Sequence, residues 1–358
     1  MEEYHRSLLD VLTRDNQYVY ESRTASDRLS VTSGHNTYDL SDGYPLGTTK
    51  RLDFENIVHE LIWFKNGETN VKYLVDNDVP IWNDNAFDQF LKETGLGEGV
   101  EKYSEEWKTL KDSYVSSIRQ DEDFAAEHGD LGPVYGKMWR AYPTEDGDVD
   151  QLGRIVEDLR DGVSSTRHIV DAWHPGLVEK MALPPCHTMY QFHKRGDSLD
   201  VTLSPQRSTD AFLGEPYNVA SYALLTEIVA NDAGLEPGVF YHHHGNHHLY
   251  CGDEPRSSWY KERANREWLR DAVQTALDDD RERFKAVRED LESRLPDERP
   301  GKERLDHVPL ALEQLSREPY DKPKVDITDG KRFEAVGRED IVLADYEHHP
   351  GIRARMAV

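Results

Sequence analysis

Cysteine is scarce in this sequence, since only Cys186 and Cys251 are present among 358 residues. Two cysteines are too few for a disulfide framework or for a cysteine-rich zinc site. Long apolar runs are also absent: nowhere do about 18 hydrophobic residues follow one another, which excludes a membrane-spanning helix. Charged side chains interrupt residues 1–12, which therefore lack the apolar centre of a signal peptide. We expect a soluble protein of the cytoplasm.

Basic residues are few relative to acidic ones. Lysine and arginine together number 43 against 69 aspartates and glutamates, which gives a formal charge of -26. A charge of this sign and size repels nucleic acid and anionic lipid, so neither is an expected partner. An acidic excess spread along the whole chain is typical of proteins that stay dissolved in molar salt. The composition therefore predicts the cytoplasm of a halophile.

Short patterns along the chain predict both helices and strands. Ile57, Leu61 and Phe64 recur at helical spacing, which places Glu60 on a helix with a strongly apolar face. Residues 218–230 indicate a buried helix that follows a turn at 214–216. Segments rich in β-branched or aromatic residues predict strands at 169–173, 188–193 and 199–203. Because these elements show no regular βαβ rhythm, we predict an α+β fold.

Two stretches look like additions to one domain that spans residues 1–358. In residues 86–127, Trp107, Leu110, Tyr114 and Ile118 recur at helical spacing among many charges. Residues 252–305 carry a longer amphipathic pattern, and an aspartate triplet at 278–280 is a point where it can bend into a hairpin. Both stretches are expected to be solvated helices that pack on their own domain, and a dedicated partner surface is the alternative.

The sequence around Cys186 suits a nucleophile. Pro184 and Pro185 precede the thiol and fix the backbone that leads to it, and downstream Arg207 supplies a guanidinium that can lower the pKa of the thiol or hold a phosphate. Taken alone, Cys186 is more often a buried structural thiol, because free cysteine behaves as a small hydrophobe. The local pattern leaves both interpretations open.

A run of histidines raises the question of a metal. His242, His243 and His244 are followed by His247 and His248. Strand alternation sends neighbouring side chains to opposite faces, and we expect no cysteine or acidic ligand to accompany them. The sequence therefore predicts that no metal is bound.

Motifs along the chain together resemble the thymidylate synthase family. The resemblance covers residues 4–85, 128–251 and 306–358 in family order. Its motifs include Pro185-Cys186-His187 and Gln206-Arg207-Ser208, and further matching stretches are residues 22–24, 43–51, 59–64, 81–82, 129–136, 212–214, 218–222, 248–250, 315–319 and 349–352. The resemblance implies a mixed β-sheet with flanking helices and a homodimer that packs sheet against sheet.

The resemblance also implies a reaction and its residues. The reaction is methylation of dUMP to dTMP, with 5,10-methylenetetrahydrofolate as one-carbon donor and reductant and no metal, flavin or nicotinamide. The Cys186 thiolate would add to C6 of uracil, while Asn218 would read the base. The residues implied in catalysis are Cys186, Glu60, Tyr135, Asn218, Arg207 and His187.

Two binding sets follow from the same resemblance. The residues implied in dUMP binding are Arg23, Thr166, Arg167, Arg207, Ser208, Thr209, Asp210, Asn218, His248 and Tyr250. The residues implied in folate binding are Asp53, Trp82, Asp210, Leu213, Gly214, Tyr217, Ala357 and Val358, of which the last two would form a lid.

The chain departs from the family pattern at several positions. Thr166-Arg167 replaces two adjacent arginines that are donated across the dimer to the partner's phosphate, so only Arg167 is left, with Lys50 or Arg51 as possible compensation. Asp53 and Asn85 replace a histidine and a tryptophan of the folate subsite. Two rival functions are a dCMP hydroxymethylase, which carries a carboxylate at the position of Asn218, and a non-catalytic paralogue that binds nucleotide or RNA.

Overall fold

The structure is a computed structural model that describes residues 2–22 and 25–356. Helices make up most of its regular structure. They are α1 (Glu2–Thr13), α2 (Phe54–Lys65), α3 (Lys72–Asp76), α4 (Asn83–Thr94), α5 (Glu105–Gln120), α6 (Glu122–His128), α7 (Tyr135–Arg140), α8 (Gln151–Arg160), α9 (Glu215–Ala233), α10 (Arg256–Lys261), α11 (Arg263–Asp279), α12 (Arg283–Arg294) and α13 (Val308–Leu315).

The strands form one large sheet and two small ones. They are β1 (Tyr18–Tyr20), β2 (Arg28–Asp39), β3 (Tyr142–Thr144), β4 (Gly147–Val149), β5 (Ile169–Asp171), β6 (Met189–Arg195), β7 (Ser198–Asp210), β8 (Glu236–Tyr250), β9 (Lys324–Ile327) and β10 (Ile341–Ala344). The large sheet has the order β1-β2-β8-β7-β6-β5, in which β7 and β8 are parallel and all other neighbours are antiparallel. The fold is therefore α+β with a mixed sheet and flanking helices, as predicted.

Helix α9 packs on the inner face of this sheet and fixes the centre of the core. Its first turn contains Pro216, which suits the start of a helix, and it ends at Gly234 in the left-handed conformation. Apolar residues lie all round this helix, because the sheet covers one side and helices α2 and α8 cover others. The buried helix predicted for 218–230 is confirmed, as are the three predicted strands.

A second apolar cluster joins the addition at 252–305 to the rest of the chain. Leu8 of α1, Leu269 of α11, Leu291 of α12 and Leu312 of α13 are all fully buried in it. Helices α11 and α12 pack against each other as a hairpin, and the chain turns between them at residues 280–282. In the other addition, α5 buries Trp107, but Leu110 of the same predicted face remains partly exposed.

The outer face of the large sheet is open in the isolated chain. His35, Thr37 and Tyr241 are exposed on it, and His243 is half-buried. Register pairs His35 with His243 and Thr37 with Tyr241, so these side chains form a continuous patch across β2 and β8. Across the described residues, 2–22 and 25–356, no helix combines the length and apolarity needed to cross a bilayer.

Candidate active site

Most of the predicted site residues meet in one cavity of about 390 Å³, a volume suited to a small ligand. It lies between the end of the large sheet, α2 and the start of α9. The predicted residues that line it are Glu60, Trp82, Tyr135, Cys186, His187, Arg207, Ser208, Asp210, Gly214, Asn218, His248 and Tyr250. Arg28, Phe64, Ile81, Asn85, Leu183, Gln206 and Met356 complete the lining.

Cys186 is held by its backbone on both sides. Its N–H donates to the phenol oxygen of Tyr135 at 2.7 Å, and its carbonyl accepts from the N–H of Arg207 at 2.8 Å. The guanidinium of Arg207 donates to the carbonyls of Pro184 and Pro185 at 3.0 and 2.8 Å. The prolines therefore do more than stiffen the approach, because their carbonyls orient the arginine beside the thiol.

Burial raises the pKa of the Cys186 thiol, while the charges of Arg207 and Arg28 act in the opposite direction. The predicted effect of Arg207 on the thiol is thus present, but burial outweighs it in the ligand-free chain. The second thiol, Cys251, is fully buried outside the cavity and burial raises its pKa well above the ordinary value. Only Cys186 can reach a ligand in the cavity.

Glu60 is a half-buried acid in the wall of the cavity. Burial raises its pKa from 4.5 to about 7, and a hydrogen bond from the Trp82 indole N–H to its Oε1 at 2.8 Å acts in the opposite direction. A carboxyl group with this pKa can both accept and donate a proton near neutral pH. The helix periodicity that predicted an apolar face around Glu60 is confirmed, since Ile57, Leu61 and Phe64 are buried.

The aromatic wall of the cavity holds its polar groups in place. The rings of Tyr135 and His187 are 4.8 Å apart, and Nδ1 of His187 lies 3.4 Å from the hydroxyl of Tyr222. Burial lowers the pKa of His187 to about 4, with Asn218 as a hydrogen-bond partner that acts in the opposite direction. His187 is therefore neutral at physiological pH, and Asn218 is anchored where its amide faces the cavity.

Two buried polar atoms of the cavity have no partner among the described residues: Nε of Arg28 and Nε2 of His248. The Arg28 guanidinium lies 5.3 Å from the ring centre of Tyr250, and the Tyr250 ring is 5.3 Å from that of His248. An unpaired buried donor costs free energy unless a ligand satisfies it. This group of three residues is suited to an anionic or hydroxyl-bearing ligand.

Other predicted residues lie outside the cavity. Thr166 and Arg167 are exposed beside β5, and the Thr209 hydroxyl faces the core, 3.3 Å from Nδ1 of His244. The Asp53 carboxylate caps α2, and the backbone N–H of Asp53 donates to the Tyr217 hydroxyl at 3.5 Å. Leu213 packs against the second apolar cluster. The predicted residues Arg23, Ala357 and Val358 lie outside the described residues.

Comparison with known proteins identifies the same family that the sequence motifs resemble. The family model "Thymidylate synthase" matches residues 2–358. A thymidylate synthase of Mycoplasma genitalium is 35% identical over 338 residues, with 94% of each chain covered. One of Mycoplasma mobile is 34% identical over 359 residues with both chains covered in full, and one of Listeria monocytogenes serotype 4a is 40% identical over 252 residues, or 65% of this chain and 80% of the relative. The chain belongs to the thymidylate synthase family. It is an enzyme of the methyltransferase class.

Among the cavity residues of this thymidylate synthase family member that the sequence did not predict, Arg28 is the charged one. It begins β2 and pairs in register with Tyr250 of β8, which turns its side chain into the cavity. A single arginine at a strand start has no local signature, so only the pairing of two distant strands reveals it. Lys50 cannot take the same role: it is buried and donates to the carbonyl of Phe212, with its pKa lowered to about 7 by burial. Arg51 is exposed, and neither Lys50 nor Arg51 is among the described residues that line the cavity.

The expectation that no acidic residue accompanies the histidines is wrong. Strand alternation separates His243 from its neighbours, but it places His242 and His244 on the same inner face of β8. Glu215, at the start of α9, reaches that face, and Nε2 of His244 lies 3.9 Å from its Oε1. The carboxylate comes from another element of the fold, so no spacing within the histidine run could reveal it.

Proposed function

We propose that this chain methylates dUMP at C5 to give dTMP and uses 5,10-methylenetetrahydrofolate as carbon donor and reductant. One observation carries the proposal: the Cys186 thiol lines a cavity that also contains a carboxyl group of pKa about 7 and an anchored amide. A nucleophile, a proton-transfer group and a hydrogen-bond reader are the three functions that this reaction requires.

The chemistry begins with the thiolate of Cys186. Its sulfur forms a bond to C6 of uracil, and the electron pair of the C5–C6 double bond makes C5 nucleophilic. C5 attacks the methylene carbon of the folate, and C5 then loses its proton as tetrahydrofolate leaves. Hydride from tetrahydrofolate reduces the exocyclic methylene, the C6–S bond breaks, and dihydrofolate and dTMP are released. The folate supplies both electrons, so the proposal needs no metal, flavin or nicotinamide in the chemistry.

Proton transfer is assigned to Glu60 and Tyr135, with His187 beside them. Glu60 with a pKa of about 7 can exchange protons with the uracil carbonyl through water. Tyr135, whose pKa burial raises well above its ordinary value, stays protonated and supplies a hydroxyl beside Cys186. A hydroxyl that stays protonated supports a role for Tyr135 in passing a proton along hydrogen bonds, and not as a base that is itself ionised.

Recognition of the base is assigned to Asn218, whose amide can donate and accept at once, as the uracil edge requires. The amide disfavours dCMP, whose ring nitrogen and amino group present the reverse pattern. We expect Asn218→Asp to shift the ratio of kcat/KM from dUMP toward dCMP, because a protonated carboxyl matches cytosine. An unchanged ratio would show that another group reads the base.

The phosphate is assigned to Arg207, Ser208 and Arg28 of the chain itself, together with Arg23. Arg28 with its unpaired Nε can replace the guanidinium that is missing at Thr166. His248, whose buried Nε2 is also unpaired, and the neighbouring Tyr250 are assigned to the ribose hydroxyl. Thr209 is the weakest member of the predicted dUMP set, because its side chain lies outside the cavity and beside His244.

The folate is assigned to the part of the cavity that Trp82, Asp210 and Gly214 line. The carboxylate of Asp210 is fixed by the N–H groups of Phe212 and Leu213 at 3.0 and 3.1 Å. Asp53 and Tyr217 are bonded to each other nearby, which supports a common role at the outer part of the folate. Ala357 and Val358 are proposed to close over the ligand, and Met356 before them lines the cavity.

A homodimer formed through the outer face of the large sheet is part of the proposal. The open patch of His35, Thr37, Tyr241 and His243 supports it, as does the exposed position of Arg167 beside the edge strand β5. Mixing inactive Arg167→Ala chains with inactive Cys186→Ser chains tests it. If Arg167 acts in the partner's site, the mixture regains about a quarter of wild-type activity, because half the dimers are mixed and each has one complete site. No recovery would place Arg167 outside the partner's site.

The direct test of the proposed function is an assay with dUMP and methylenetetrahydrofolate in high salt, followed by the absorbance of dihydrofolate. Appearance of dihydrofolate and dTMP in equal amounts supports the proposal. Hydroxymethylation of dCMP would support the rival enzyme, and binding of dUMP or RNA without turnover would support a non-catalytic paralogue. The charge of -26 disfavours RNA. It is also the basis for proposing that the enzyme works in a salt-rich cytoplasm.

A further inference from the structure

A polar cluster lies in the core behind the strand that lines the cavity. It consists of His242, His244 and Glu215, all fully buried or nearly so. One ring nitrogen of each histidine and one carboxylate oxygen of Glu215 lie within 4.8 Å of one another. None of the three lines the cavity among the described residues, so the cluster lies behind the cavity wall, with Gln206 between His242 and the cavity.

In each of the two histidines of the cluster, one ring nitrogen lies near a side-chain oxygen that orients the imidazole. Nε2 of His242 is 2.8 Å from Oε1 of Gln206, and its Nδ1 has no partner among the described residues. Nδ1 of His244 is 3.3 Å from the Thr209 hydroxyl, which leaves its Nε2 facing Glu215 at 3.9 Å. Metal-bound histidines share this arrangement, in which one nitrogen is held by an oxygen and the other is the ligand.

Glu215 is a fixed ligand, not a flexible one. Its Oε1 accepts from Ser7 at 2.6 Å and from Tyr38 at 3.3 Å, and Nε2 of His247 lies 3.2 Å from its Oε2. These partners hold the carboxylate in one position. His247 lies beside Oε2, and a cation between Glu215 and the other two histidines would lie beside Oε1.

Two further residues leave room for an ion. The Nδ2 atom of Asn36 lies 3.2 Å from both Oε1 of Glu215 and Nε2 of His244, and a half turn of this amide would place its oxygen there as another ligand. Gly34 adjoins the cluster as well. A Cβ at Gly34 would come within 2.9 Å of Oδ2 of Asp10 and 3.3 Å of the His244 ring. A side chain at this position would fill the space beside the histidines.

We propose that His242, His244 and Glu215 bind a divalent transition-metal ion, zinc in the cell, with the side-chain oxygen of Asn36 as a fourth ligand. Two imidazoles and a carboxylate suit zinc and are a poor match for magnesium or calcium, which prefer oxygen. The ion would join β2, β8 and α9 inside the core. It would touch no substrate, so it is a structural ion and not a cofactor of the proposed methylation.

The test is metal analysis of untagged protein that has been expressed with added zinc and purified without chelator. Because the ligands are buried, the ion is expected to enter during folding and to exchange slowly. We expect about one zinc ion per chain in the wild type, and a loss of most of it in His244→Gln and in Glu215→Gln. The matched control is His243→Gln, which removes the histidine between the ligands and should retain the ion.

Protein expressed with cobalt gives a second readout that depends on no variant. A four-coordinate site of this kind predicts the visible absorption band of tetrahedral cobalt in the wild type. Absence of bound zinc and of this band in folded wild-type protein would overturn the proposal, because the cluster is then a hydrogen-bonded network without an ion. Retention of a full zinc equivalent in His244→Gln, or its loss in His243→Gln, would also overturn it. None of these outcomes depends on whether dUMP is the substrate.

Discussion

The indole N–H of Trp82 donates a 2.8 Å hydrogen bond to the carboxyl group of Glu60. This bond counteracts burial, which raises the pKa of Glu60 to about 7. The proton-transfer group of the site is therefore tuned by a residue that is also assigned to folate. We therefore expect a folate that binds against Trp82 to change the protonation of Glu60.

Substitution of Glu60 should separate catalysis from stability. Folding takes up a proton at Glu60 between its ordinary pKa of 4.5 and its folded pKa of about 7, so the free energy of unfolding falls as pH rises through this window. The full effect is on the order of 3 kcal/mol. In Glu60→Gln, turnover should be nearly abolished, while the free energy of unfolding should fall less between about pH 5 and about pH 8.

Glu227 provides the matched control for that prediction. Burial also raises its pKa to about 7, but it lies outside the cavity, near Glu236 and Asp326. Glu227→Gln should flatten the pH dependence of thermal unfolding in the same way and leave turnover unchanged. If Glu227→Gln lost activity as Glu60→Gln does, the loss would reflect packing and not proton transfer.

The two cysteines should respond differently to serine. Cys186→Ser removes the nucleophile and should lower kcat by about 10³-fold or more, because a serine hydroxyl without a base is a poor nucleophile. Cys251→Ser places a hydroxyl in an apolar core and should lower the free energy of unfolding by about 1 to 3 kcal/mol with little effect on kcat. Steady-state kinetics and denaturant titration of both variants are the measurements, and equal losses of kcat would contradict the assignment.

Arg28 should act on the phosphate alone. Its replacement by methionine keeps the length of the side chain and removes the charge, so affinity for dUMP should fall about 10- to 100-fold. Affinity for deoxyuridine, which has no phosphate, should stay the same. Calorimetric titration of both ligands measures this difference, with Arg195→Met as a control because Arg195 is exposed and pairs with Asp200 away from the cavity. A similar loss for both ligands would mean that Arg28 shapes the cavity instead.

Salt should strengthen binding of dUMP although the ligand is an anion. At about 1 M salt the Debye length is about 3 Å, so distant carboxylates no longer repel the phosphate while contacts with Arg207 and Arg28 survive in part. KM for dUMP should therefore rise as salt is lowered, before self-repulsion at a charge of -26 disrupts the fold. KM and molecular mass measured together decide the point. A KM that falls steadily while the mass is constant would show that screening of the arginine contacts dominates.

The sequence predicts secondary-structure elements better than it predicts the contacts between them. Helical periodicity locates Glu60 on an apolar face, and two prolines mark Cys186, because both signals are local. Glu215 beside His242 and Arg28 beside Tyr250 depend on which distant strands and helices become neighbours, and no short pattern records that. The family resemblance predicts that Thr209 serves dUMP, yet the structure places its side chain outside the cavity, beside His244. The prediction for Thr166 stays untested, because the resemblance assigns it, with Arg167, to the site of the partner chain. The family resemblance predicts the motif, but whether a side chain of the motif lines the cavity depends on the fold.

The proposed addition of Cys186 to C6 of the nucleotide is tested most directly by a stalled complex with the folate. With 5-fluoro-dUMP the fluorine at C5 cannot leave as the proton does, so the sequence should stop after C5 has bonded to the methylene carbon. We expect the mass of the intact chain to rise by one nucleotide plus one folate, and peptide mapping to locate the adduct on the peptide that contains Cys186. No adduct in folded protein, or an adduct on Cys251, would contradict it.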